Sequence, residues 1–356
     1  MDPEFIGLIS GFEWEEALVK EVEWLFPDIQ ARKKFPGLIS CTNKQKSITT
    51  NPVFARQWLP NCHEITGTSI KILIENIGKI LDPILDNSRL PWTFKAVTPD
   101  VYTPDGDRYL PMKSRLLLIE ENFLGRMNTY RRRAMDRFQQ WNSPGISSSF
   151  PGIIVQMVLI KADVLWLSIS ESLKLKEGIS VPLIWKNNPG LVPHDNHAPC
   201  RSYYKIEEAW MKCGITPGPG ETCVDLGAAP GGWTWAALKR GARVIAIDAA
   251  DLNSRVADHP KCEHLRENGY AYLPPKKVDW MFCDMIVRPM ATIGLLERWL
   301  EADACRKFVV NVKFRGKEPS SILSSIRDLD AKWHFKRLTV RHLFHDRNEI
   351  TMVGIS

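Results

Sequence analysis

The fold of this chain is decided by one short stretch, Asp225-Leu226-Gly227-Ala228-Ala229-Pro230-Gly231-Gly232-Trp233. Residues 222–224 before it are β-prone, and residues 234–240 after it are typical of a helix that ends at Gly241. A strand, a glycine turn and a helix start form the usual site of a nucleotide-like ligand in a doubly wound sheet. Glycines let the backbone approach a ligand without a Cβ in the way, and the helix start offers unpaired N–H groups.

The pattern from residue 201 to the end is a regular alternation of strands and helices. It predicts strands at Arg243–Asp248, Val278–Asp284 and Lys307–Phe314, and helices at Ser202–Cys213, Pro289–Cys305 and Pro319–Trp333. The last two apolar runs, Phe335–Leu343 and Glu349–Ile355, are joined by a polar turn and predict an antiparallel hairpin. A mostly parallel α/β sheet ended by a hairpin favours a Rossmann-like class I methyltransferase domain with a mixed sheet over residues 201–356.

The glycine turn also indicates which ligand it holds. A dinucleotide fingerprint needs a second glycine for the pyrophosphate, but this chain has Ala229 at that place and Pro230 inside the turn. Asp248 follows Gly227 by about 20 residues, a spacing suited to ribose hydroxyls. S-adenosylmethionine has the ribose and lacks the pyrophosphate, so it is the predicted cofactor, and NAD-dependent oxidoreduction is disfavoured.

Composition sets outer bounds on the chain. Its 356 residues predict two or three domains, and 44% hydrophobic with 25% charged residues is ordinary for a globular protein. No apolar run approaches the ~20 residues of a membrane span and no signal peptide opens the chain, so we expect a cytoplasmic protein without a membrane partner. The net charge of +6 hints at a polyanionic partner, and the eight cysteines, without CxxC spacing, are expected to be reduced.

The region before the linker is predicted to hold two α+β units, residues 1–60 and 61–186. The first carries the basic run Arg32-Lys33-Lys34. The second includes a long basic helix from about Met112 to Trp141, with arginines at 126, 131, 132, 133 and 137. This patch could grip a phosphate backbone through bidentate contacts, or it could be a solvated helix face, and composition favours neither.

Residues 187–200 form the predicted linker, rich in proline, glycine and asparagine. His194, His197 and Cys200 lie three residues apart within it. A structural zinc needs four ligands, and the sequence offers no obvious fourth nearby, so no metal is predicted.

Four charged residues suggest a second constellation at the strand ends: Lys205, Asp284, Lys313 and Glu349. Each alone could be an ordinary exposed or capping residue. Together they could surround one hydroxyl group. A lysine acts as a base only when it is desolvated or set beside another cation, and Lys205 near Lys313 could supply that like-charge effect.

Several motifs together resemble one family of enzymes. They are Arg201-Ser202-Tyr203-Tyr204-Lys205-Ile206-Glu207-Glu208, the glycine turn, Cys283-Asp284-Met285, Asn311-Val312-Lys313 and His345-Asp346-Arg347-Asn348-Glu349. This combination is similar to the ribose 2'-O-methyltransferases with a Lys-Asp-Lys-Glu tetrad, and most to the bacterial large-subunit rRNA cytidine 2'-O-methyltransferase M family. The resemblance extends upstream to Phe54-Ala55-Arg56-Gln57-Trp58, with residues 1–60 resembling the family's ferredoxin-like region and residues 61–186 its THUMP RNA-binding region.

The resemblance implies a role for each tetrad residue. Lys313 is implied as the general base for the ribose 2'-hydroxyl, Asp284 and Lys205 position the hydroxyl and tune the base, and Glu349 holds the lysines. The implied S-adenosylmethionine contacts are Ser202, Gly227, Ala229, Pro230, Gly231, Gly232, Asp248, Asn268 and Asp284. Asn268 stands where the family pattern has Asp, and its carbonyl can still accept a hydrogen bond from the adenine amino group.

The sequence thus predicts S-adenosylmethionine-dependent 2'-O-methylation of a cytidine in large-subunit rRNA, naked or in an assembly precursor. An alternative of another class stays open at this point. The chain could be an RNA-binding module whose methyltransferase fold is an inactive scaffold.

Overall fold

A computed structural model describes residues 5–43, 50–99, 101–102, 108–109, 112–141, 150–174, 180–181, 192–314, 316 and 319–356. The chain divides into two compact units, Met1–Pro189 and Gly190–Ser356. The predicted linker, residues 187–200, spans this division, and its first part, 187–191, lies outside the described residues.

The N-terminal unit is built on one large sheet. Its described elements are β1 (Phe5–Ser10), α1 (Glu15–Leu25), β2 (Ile29–Phe35), β3 (Leu38–Asn43), β4 (Ala55–Thr66), α2 (Ile70–Asn87), β5 (Trp92–Val97), β6 (Val101–Tyr102), β7 (Arg108–Tyr109), α3 (Lys113–Tyr130), α4 (Arg132–Met135), β8 (Ile153–Lys161), β9 (Val164–Ser170), β10 (Leu173–Lys174) and β11 (Ser180–Val181). The large sheet has the order β2-β3-β1-β4-β9-β8-β5, and β6/β7 and β10/β11 form short separate ladders. β5 pairs with β8 in parallel.

Strand β4 connects the two units that the sequence predicted before the linker. It pairs with β1 along one edge, with Trp58 opposite Leu8, and with β9 along the other, with Cys62 opposite Ser168. The predicted boundary at residue 60 falls inside this strand, because the ladder continues past Pro60 although Asn61 has a positive φ of 47°. Residues of both predicted parts therefore contribute to one sheet, and their ferredoxin-like and THUMP-like identities stay predictions.

The basic helix of this unit is shorter than predicted. α3 ends at Tyr130, and Arg131 leaves the helical conformation before the short α4. Residues 142–149 lie outside the described part of the chain. The single helix predicted from Met112 to Trp141 is therefore wrong in its C-terminal part.

Most of the arginines singled out on this helix bind within the unit. Guanidinium nitrogens of Arg126 and Arg131 lie 2.5 and 2.6 Å from Oδ2 of Asp82, a side chain that is 8% exposed. Arg137 donates at 2.7 Å to two backbone carbonyl oxygens, at residues 85 and 90. These three arginines therefore stabilise the fold. The neighbouring Arg132 and Arg133 are exposed.

The C-terminal unit carries the predicted α/β alternation. Its described elements are α5 (Tyr203–Cys213), β12 (Thr222–Leu226), α6 (Gly232–Leu238), β13 (Arg243–Ile247), α7 (Ser254–Ala257), β14 (Cys262–Leu265), β15 (Val278–Cys283), α8 (Pro289–Glu301), β16 (Cys305–Lys313), α9 (Ser320–Trp333), β17 (Arg337–Arg341) and β18 (Glu349–Ile355). The sheet order is β14-β13-β12-β15-β16-β18-β17. Strands β12 to β16 are parallel, and β18 lies antiparallel between β16 and β17, which confirms the predicted hairpin.

Helices α5 and α6 cover one part of this sheet with aromatic side chains. Trp210 of α5 packs 5.7 Å from Phe282 of β15, measured between ring centroids, and Trp233 of α6 lies 6.3 Å from the same ring. All three rings belong to one buried cluster. Burial of aromatic rings contributes strongly to core stability, so α5, which carries Lys205, is held firmly against the sheet.

Among the described residues, no helix combines sufficient length with sufficient apolar character to cross a bilayer.

We predict that Asp82→Asn lowers the free energy of unfolding of the N-terminal unit by roughly 1–3 kcal/mol, because two partly buried guanidinium groups lose their ionised partner. Asp86→Asn is the matched control, since Asp86 is 53% exposed and binds Arg131 alone at 3.1 Å. Its expected effect is below about 1 kcal/mol. Urea unfolding of the two variants measures the difference, and equal losses would contradict the structural role of Asp82.

Candidate active site

The carboxyl ends of the parallel strands meet at one edge of the C-terminal sheet, as in other open α/β sheets. A cavity of about 810 Å³ lies at this edge. It is lined by Cys200, Ser202, Asp225, Gly227, Ala228, Ala229, Pro230, Trp233, Ile247, Asp248, Ala249, Arg266, Glu267, Asn268, Gly269, Asp284, Met285, Ile286, Val287 and Lys313. Predicted cofactor residues and predicted catalytic residues therefore share one cavity.

The glycine turn passes beneath this cavity between β12 and α6. Gly227 has φ of 73°, and Gly231 has φ of 109°, both in the region that L side chains rarely adopt. A Cβ added at Gly227 would lie 2.4 Å from Cγ of Met285. The backbone path of this turn thus requires glycine both for its conformation and for its close approach to residue 285.

Asp248 at the end of β13 is fixed by backbone N–H groups. Its Oδ2 accepts from the amide of Ala229 and its Oδ1 from the amide of Ala250, each at 2.9 Å. Each carboxylate oxygen retains further acceptor capacity. The carboxylate is therefore held at the cavity in an orientation that can still accept hydrogen bonds from a ligand.

Asp225 lies beneath the same cavity and is almost completely buried, with 2% of its surface exposed. The hydroxyl of Thr234 donates to its Oδ2 at 2.6 Å. Burial, assisted by the negative charges of Asp284 and Asp248, raises the pKa of Asp225 to about 7 against the Thr234 hydrogen bond. This carboxyl group therefore changes its protonation state near neutral pH.

The four residues of the predicted tetrad come together at the Lys313 end of the cavity. Lys313 Nζ lies 3.0 Å from Asp284 Oδ1 and 2.7 Å from the Asp284 carbonyl oxygen, to which it donates. Lys205 Nζ lies 2.7 Å from Glu349 Oε1 and 3.4 Å from Asp284 Oδ2. Glu349 Oε2 is 4.0 Å from Lys313 Nζ. Each carboxylate therefore lies between both lysines.

The charge of Lys205 is maintained by these contacts. Burial disfavours its protonated form, but the nearby Asp284 and Glu349 carboxylates outweigh burial and raise the pKa of Lys205 above 10.5. Lys205 is thus a permanent cation at neutral pH. It can act as the neighbouring positive charge that the sequence suggested for Lys313.

The other predicted cofactor residues occupy different positions around the cavity. Ser202 and Asn268 line it, whereas Gly231 and Gly232 lie behind the lining. A Cβ at Gly232 would lie 2.6 Å from Ser202 Oγ, so this glycine allows the segment before α5 to pack against α6. The side-chain oxygen of Asn268 already accepts from the Tyr270 amide at 2.9 Å, which fixes the orientation of the Asn268 carboxamide.

The linker residues with zinc-like spacing engage separate partners. His194 Nδ1 is 2.7 Å from the hydroxyl oxygen of Tyr204, and Cys200 Sγ is 2.9 Å from Ser202 Oγ. These contacts connect the end of the linker to the start of α5, beside the cavity.

Sequence reasoning did not identify some residues that shape this site. Met285, Arg266 and Glu267 line the cavity, and the last two lie in a loop without a regular pattern. Asn311 donates to Asp284, and Thr351 donates to Asn311. Their position two residues before Lys313 and two after Glu349 is a usable signal, because alternate strand residues share one face.

Two comparisons relate this chain to known proteins. Residues 198–329 match the family of FtsJ-like methyltransferases. The ribosomal RNA large subunit methyltransferase M of Azotobacter vinelandii is 40% identical over 165 residues, which are 43% of this chain and 47% of that protein. Its counterpart in Laribacter hongkongensis is 39% identical over 166 residues, covering 44% and 47%. The chain spans about half the length of the curated relatives it matches.

These matches confirm the resemblance to the M family that the sequence motifs indicated. They also establish a Rossmann-type methyltransferase fold with a mixed sheet for the C-terminal unit. Among solved structures, TrmN from Thermus thermophilus overlaps 99% of this chain and 100% of its own at 10% identity. The TM-score of this overlap is 0.36.

We predict that Asp225→Asn reduces the pH dependence of stability. Because its pKa is raised to about 7, Asp225 binds more protons in the folded than in the unfolded chain between pH about 4 and 7. The stability that this proton binding gives to the folded protein is fully present below pH about 4 and is lost as the pH rises through about 7. Between pH 5 and 8 the wild type should lose about 1–3 kcal/mol more than the variant.

Urea unfolding at the two pH values measures this difference. Asp251→Asn is the control, because the Asp251 side chain is 79% exposed, and it should follow the wild type. A variant of Asp225 that loses as much stability as the wild type would show that Asp225 is not the titrating group.

Proposed function

We propose that this chain is an S-adenosylmethionine-dependent methyltransferase that modifies the ribose 2'-hydroxyl of a cytidine in large-subunit rRNA. The observation that carries this proposal is the convergence of Lys205, Asp284, Lys313 and Glu349 at one end of the cavity. The matched relatives are named as large-subunit rRNA methyltransferases, which supports rRNA as the substrate class. An assembled tetrad favours catalysis over the alternative of an inactive scaffold.

The cavity fits S-adenosylmethionine in size and in chemistry. Its volume of about 810 Å³ falls in the range of small-molecule sites. Asp248 would accept hydrogen bonds from the ribose hydroxyls, and Asn268 would contact the adenine. Ser202, Gly227, Ala229 and Pro230 would line the remainder of the ligand, with the glycine turn bringing backbone rather than side chains toward it.

Lys313 is the proposed general base. A neutral lysine amine has two N–H groups and one lone pair. The carboxylate and carbonyl oxygens of Asp284 can accept both N–H groups, so the lone pair remains for the proton of the 2'-hydroxyl. Held by Asp248, Asn268 and the glycine turn, S-adenosylmethionine would supply an electrophilic methyl carbon for the ribose oxygen. Its sulfonium sulfur would keep the electron pair of the broken S–C bond.

The remaining tetrad residues maintain the charge balance around this step. Lys205 stays protonated and disfavours a second positive charge on Lys313. Asp284 orients Lys313 through two contacts, and Glu349 holds Lys205 at 2.7 Å. A positioned base contributes roughly 10²–10⁴-fold, so the alignment of the two substrates must supply much of the remaining acceleration.

The N-terminal unit is the proposed RNA-binding region, ferredoxin-like and THUMP-like in kind. Support comes from β2, an edge strand of the large sheet on which Arg32 and Lys34 are exposed, and from the exposed Arg132 and Arg133. Exposed cations can neutralise phosphates without reading sequence. The substrate would be rRNA, either naked or within an assembly precursor.

We expect Lys313→Ala to lower methyl transfer by roughly 10²–10⁴-fold, because the proton acceptor is lost. The assay supplies labelled S-adenosylmethionine with rRNA, and with ribosomal precursor particles, from a strain that lacks the modification. Lys276→Ala is the control, since Lys276 is exposed. Calorimetry should show S-adenosylmethionine binding to both variants.

Each result has a distinct meaning. Undiminished transfer by Lys313→Ala would exclude Lys313 as the base. Failure of the wild type on both substrates would overturn the enzymatic proposal, and absence of cofactor binding would favour the scaffold alternative. Mapping the labelled nucleotide decides whether the target is cytidine.

A further inference from the structure

We propose that Asn311, Thr351 and Asp346 form a buried positioning chain that fixes Asp284, and that Asp346 carries a proton in the folded protein. The role assigned to this positioning chain rests on the proposed function of the tetrad above it. The protonation of Asp346 is independent of that function and can be measured separately.

All three side chains lie beneath the tetrad and out of contact with solvent. Asn311 on β16 is 0% exposed, Thr351 on β18 is 1% exposed, and Asp346 in the turn before β18 is 4% exposed. Asn311 and Thr351 are direct partners in the antiparallel ladder, two residues along from the pair Lys313 and Glu349. The register that assembles the tetrad therefore assembles this chain as well.

The contacts run in one line from Asp284 to Asp346. Asn311 Nδ2 donates to Asp284 Oδ1 at 3.0 Å. The Thr351 hydroxyl lies 2.7 Å from Asn311 Oδ1, and 3.1 and 3.4 Å from Oδ2 and Oδ1 of Asp346. Asp346 Oδ2 also accepts from the Leu343 amide at 2.8 Å.

The direction of each hydrogen bond along this line depends on which of the two groups carries a proton. Asp284 can only accept when ionised, so Asn311 must present its amide nitrogen to it and its oxygen to Thr351. Thr351 has one proton, which the Asn311 oxygen requires. Once this proton is donated to Asn311, the Thr351 oxygen can only accept. A hydrogen bond between Thr351 and Asp346, whose Oδ2 lies 3.1 Å away, then requires a proton on the Asp346 carboxyl group.

The surroundings of Asp346 agree with this protonation. Burial and the negative charge of Glu349 raise the pKa of Asp346 well above 3.8, and Glu208 acts in the same direction. The Leu343 amide and the positive charge of Lys205 oppose them and are outweighed.

The positioning chain gives Asp284 a hydrogen-bond donor, the Asn311 amide, whose protonation would not change during catalysis. Lys313 and Asn311 both lie 3.0 Å from Asp284 Oδ1. Lys313 would exchange a proton in each turnover, whereas the Asn311 amide keeps its charge and geometry. Asn311 thus prevents rotation of the carboxylate while the charge of Lys313 changes, which makes it a positioning residue.

Two substitutions at Thr351, in the middle of the positioning chain, and two at Asp346, at its far end, test this role. Thr351→Val removes the hydroxyl at nearly constant volume, and should lower kcat roughly 10- to 100-fold with S-adenosylmethionine affinity unchanged. Thr351→Ser retains the hydroxyl and should retain activity. Asp346→Asn keeps a neutral donor toward Thr351 and should stay within about threefold of the wild type, whereas Asp346→Ala should resemble Thr351→Val.

The control is Thr339→Val, which removes a buried threonine hydroxyl on the neighbouring strand β17 and should keep wild-type kcat. Circular dichroism and the unfolding midpoint of each variant establish that it is folded. Wild-type kcat in folded Thr351→Val, or equal loss in Asp346→Asn and Asp346→Ala, would overturn the positioning role.

Infrared difference spectroscopy between the wild type and Asp346→Asn reads the protonation directly at a pH above 8, where Asp225 is ionised. A carboxylic acid C=O band assigned to Asp346 supports the inference, and a carboxylate band overturns it. If the wild type transferred no methyl group, the proposed function would fail. The infrared result would still decide the protonation of Asp346.

Discussion

The antiparallel pairing of β18 with β16 is the constraint on which the candidate site depends. It sets Glu349 opposite Lys313 and Thr351 opposite Asn311. Because successive strand residues point to opposite faces, both pairs lie on the same face of the sheet. A shift of one residue in the register between β16 and β18 would move Glu349 and Thr351 to the other face of the sheet. The lysines would then lose one carboxylate, and Asn311 would lose its hydroxyl partner. The turn between β17 and β18 is also held in place, because Oδ2 of Asp346 accepts a hydrogen bond from the Leu343 amide.

Much of this arrangement could be predicted from the sequence, for definable reasons. The glycine turn and the final hairpin have local signatures, and the tetrad was indicated by family motifs around Lys205, Asp284, Lys313 and Glu349. The positioning chain was not predicted, although Asn311 and Asp346 lie within the motifs that were quoted. The two-residue spacing from Lys313 and Glu349 indicates that Asn311 and Thr351 share a face with the tetrad. Their contacts with each other and with Asp346 depend on the register between β16 and β18, which has no local sequence signal.

The N-terminal unit shows a different limit of sequence reasoning. Strand β2 was missed because its central residues, Arg32 to Lys34, are all charged and conceal the strand pattern. The arginines of the basic helix were considered as phosphate ligands or as a solvated face. The structure gives Arg126 and Arg131 a third role, since Asp82 on α2 binds both. Charge runs along a chain do not reveal an acidic partner about 45 residues away, and such partners decide which cations remain exposed.

Several acidic side chains lie near the carboxyl edge of the sheet, and the fold limits the repulsion among Asp225, Asp248, Asp284, Asp346 and Glu349 in three ways. Backbone amides hold Asp248, and the two lysines lie between Asp284 and Glu349. Asp225 and Asp346 lie deepest, without a lysine partner among their described contacts, and there burial favours the protonated form.

These three ways of limiting repulsion would have different consequences for the proposed catalysis. In the proposed reaction, a carboxylate held by amides would bind the ribose, and one held between lysines would orient the base. A protonated, buried carboxyl group adds no charge and can serve as a hydrogen-bond donor. In the proposed reaction, an ionised Asp346 would add negative charge beneath Asp284 and Glu349, and the inferred protonation of Asp346 avoids this. The neutral chain instead supports the geometry of Asp284 and leaves the basicity of Lys313 to the tetrad itself.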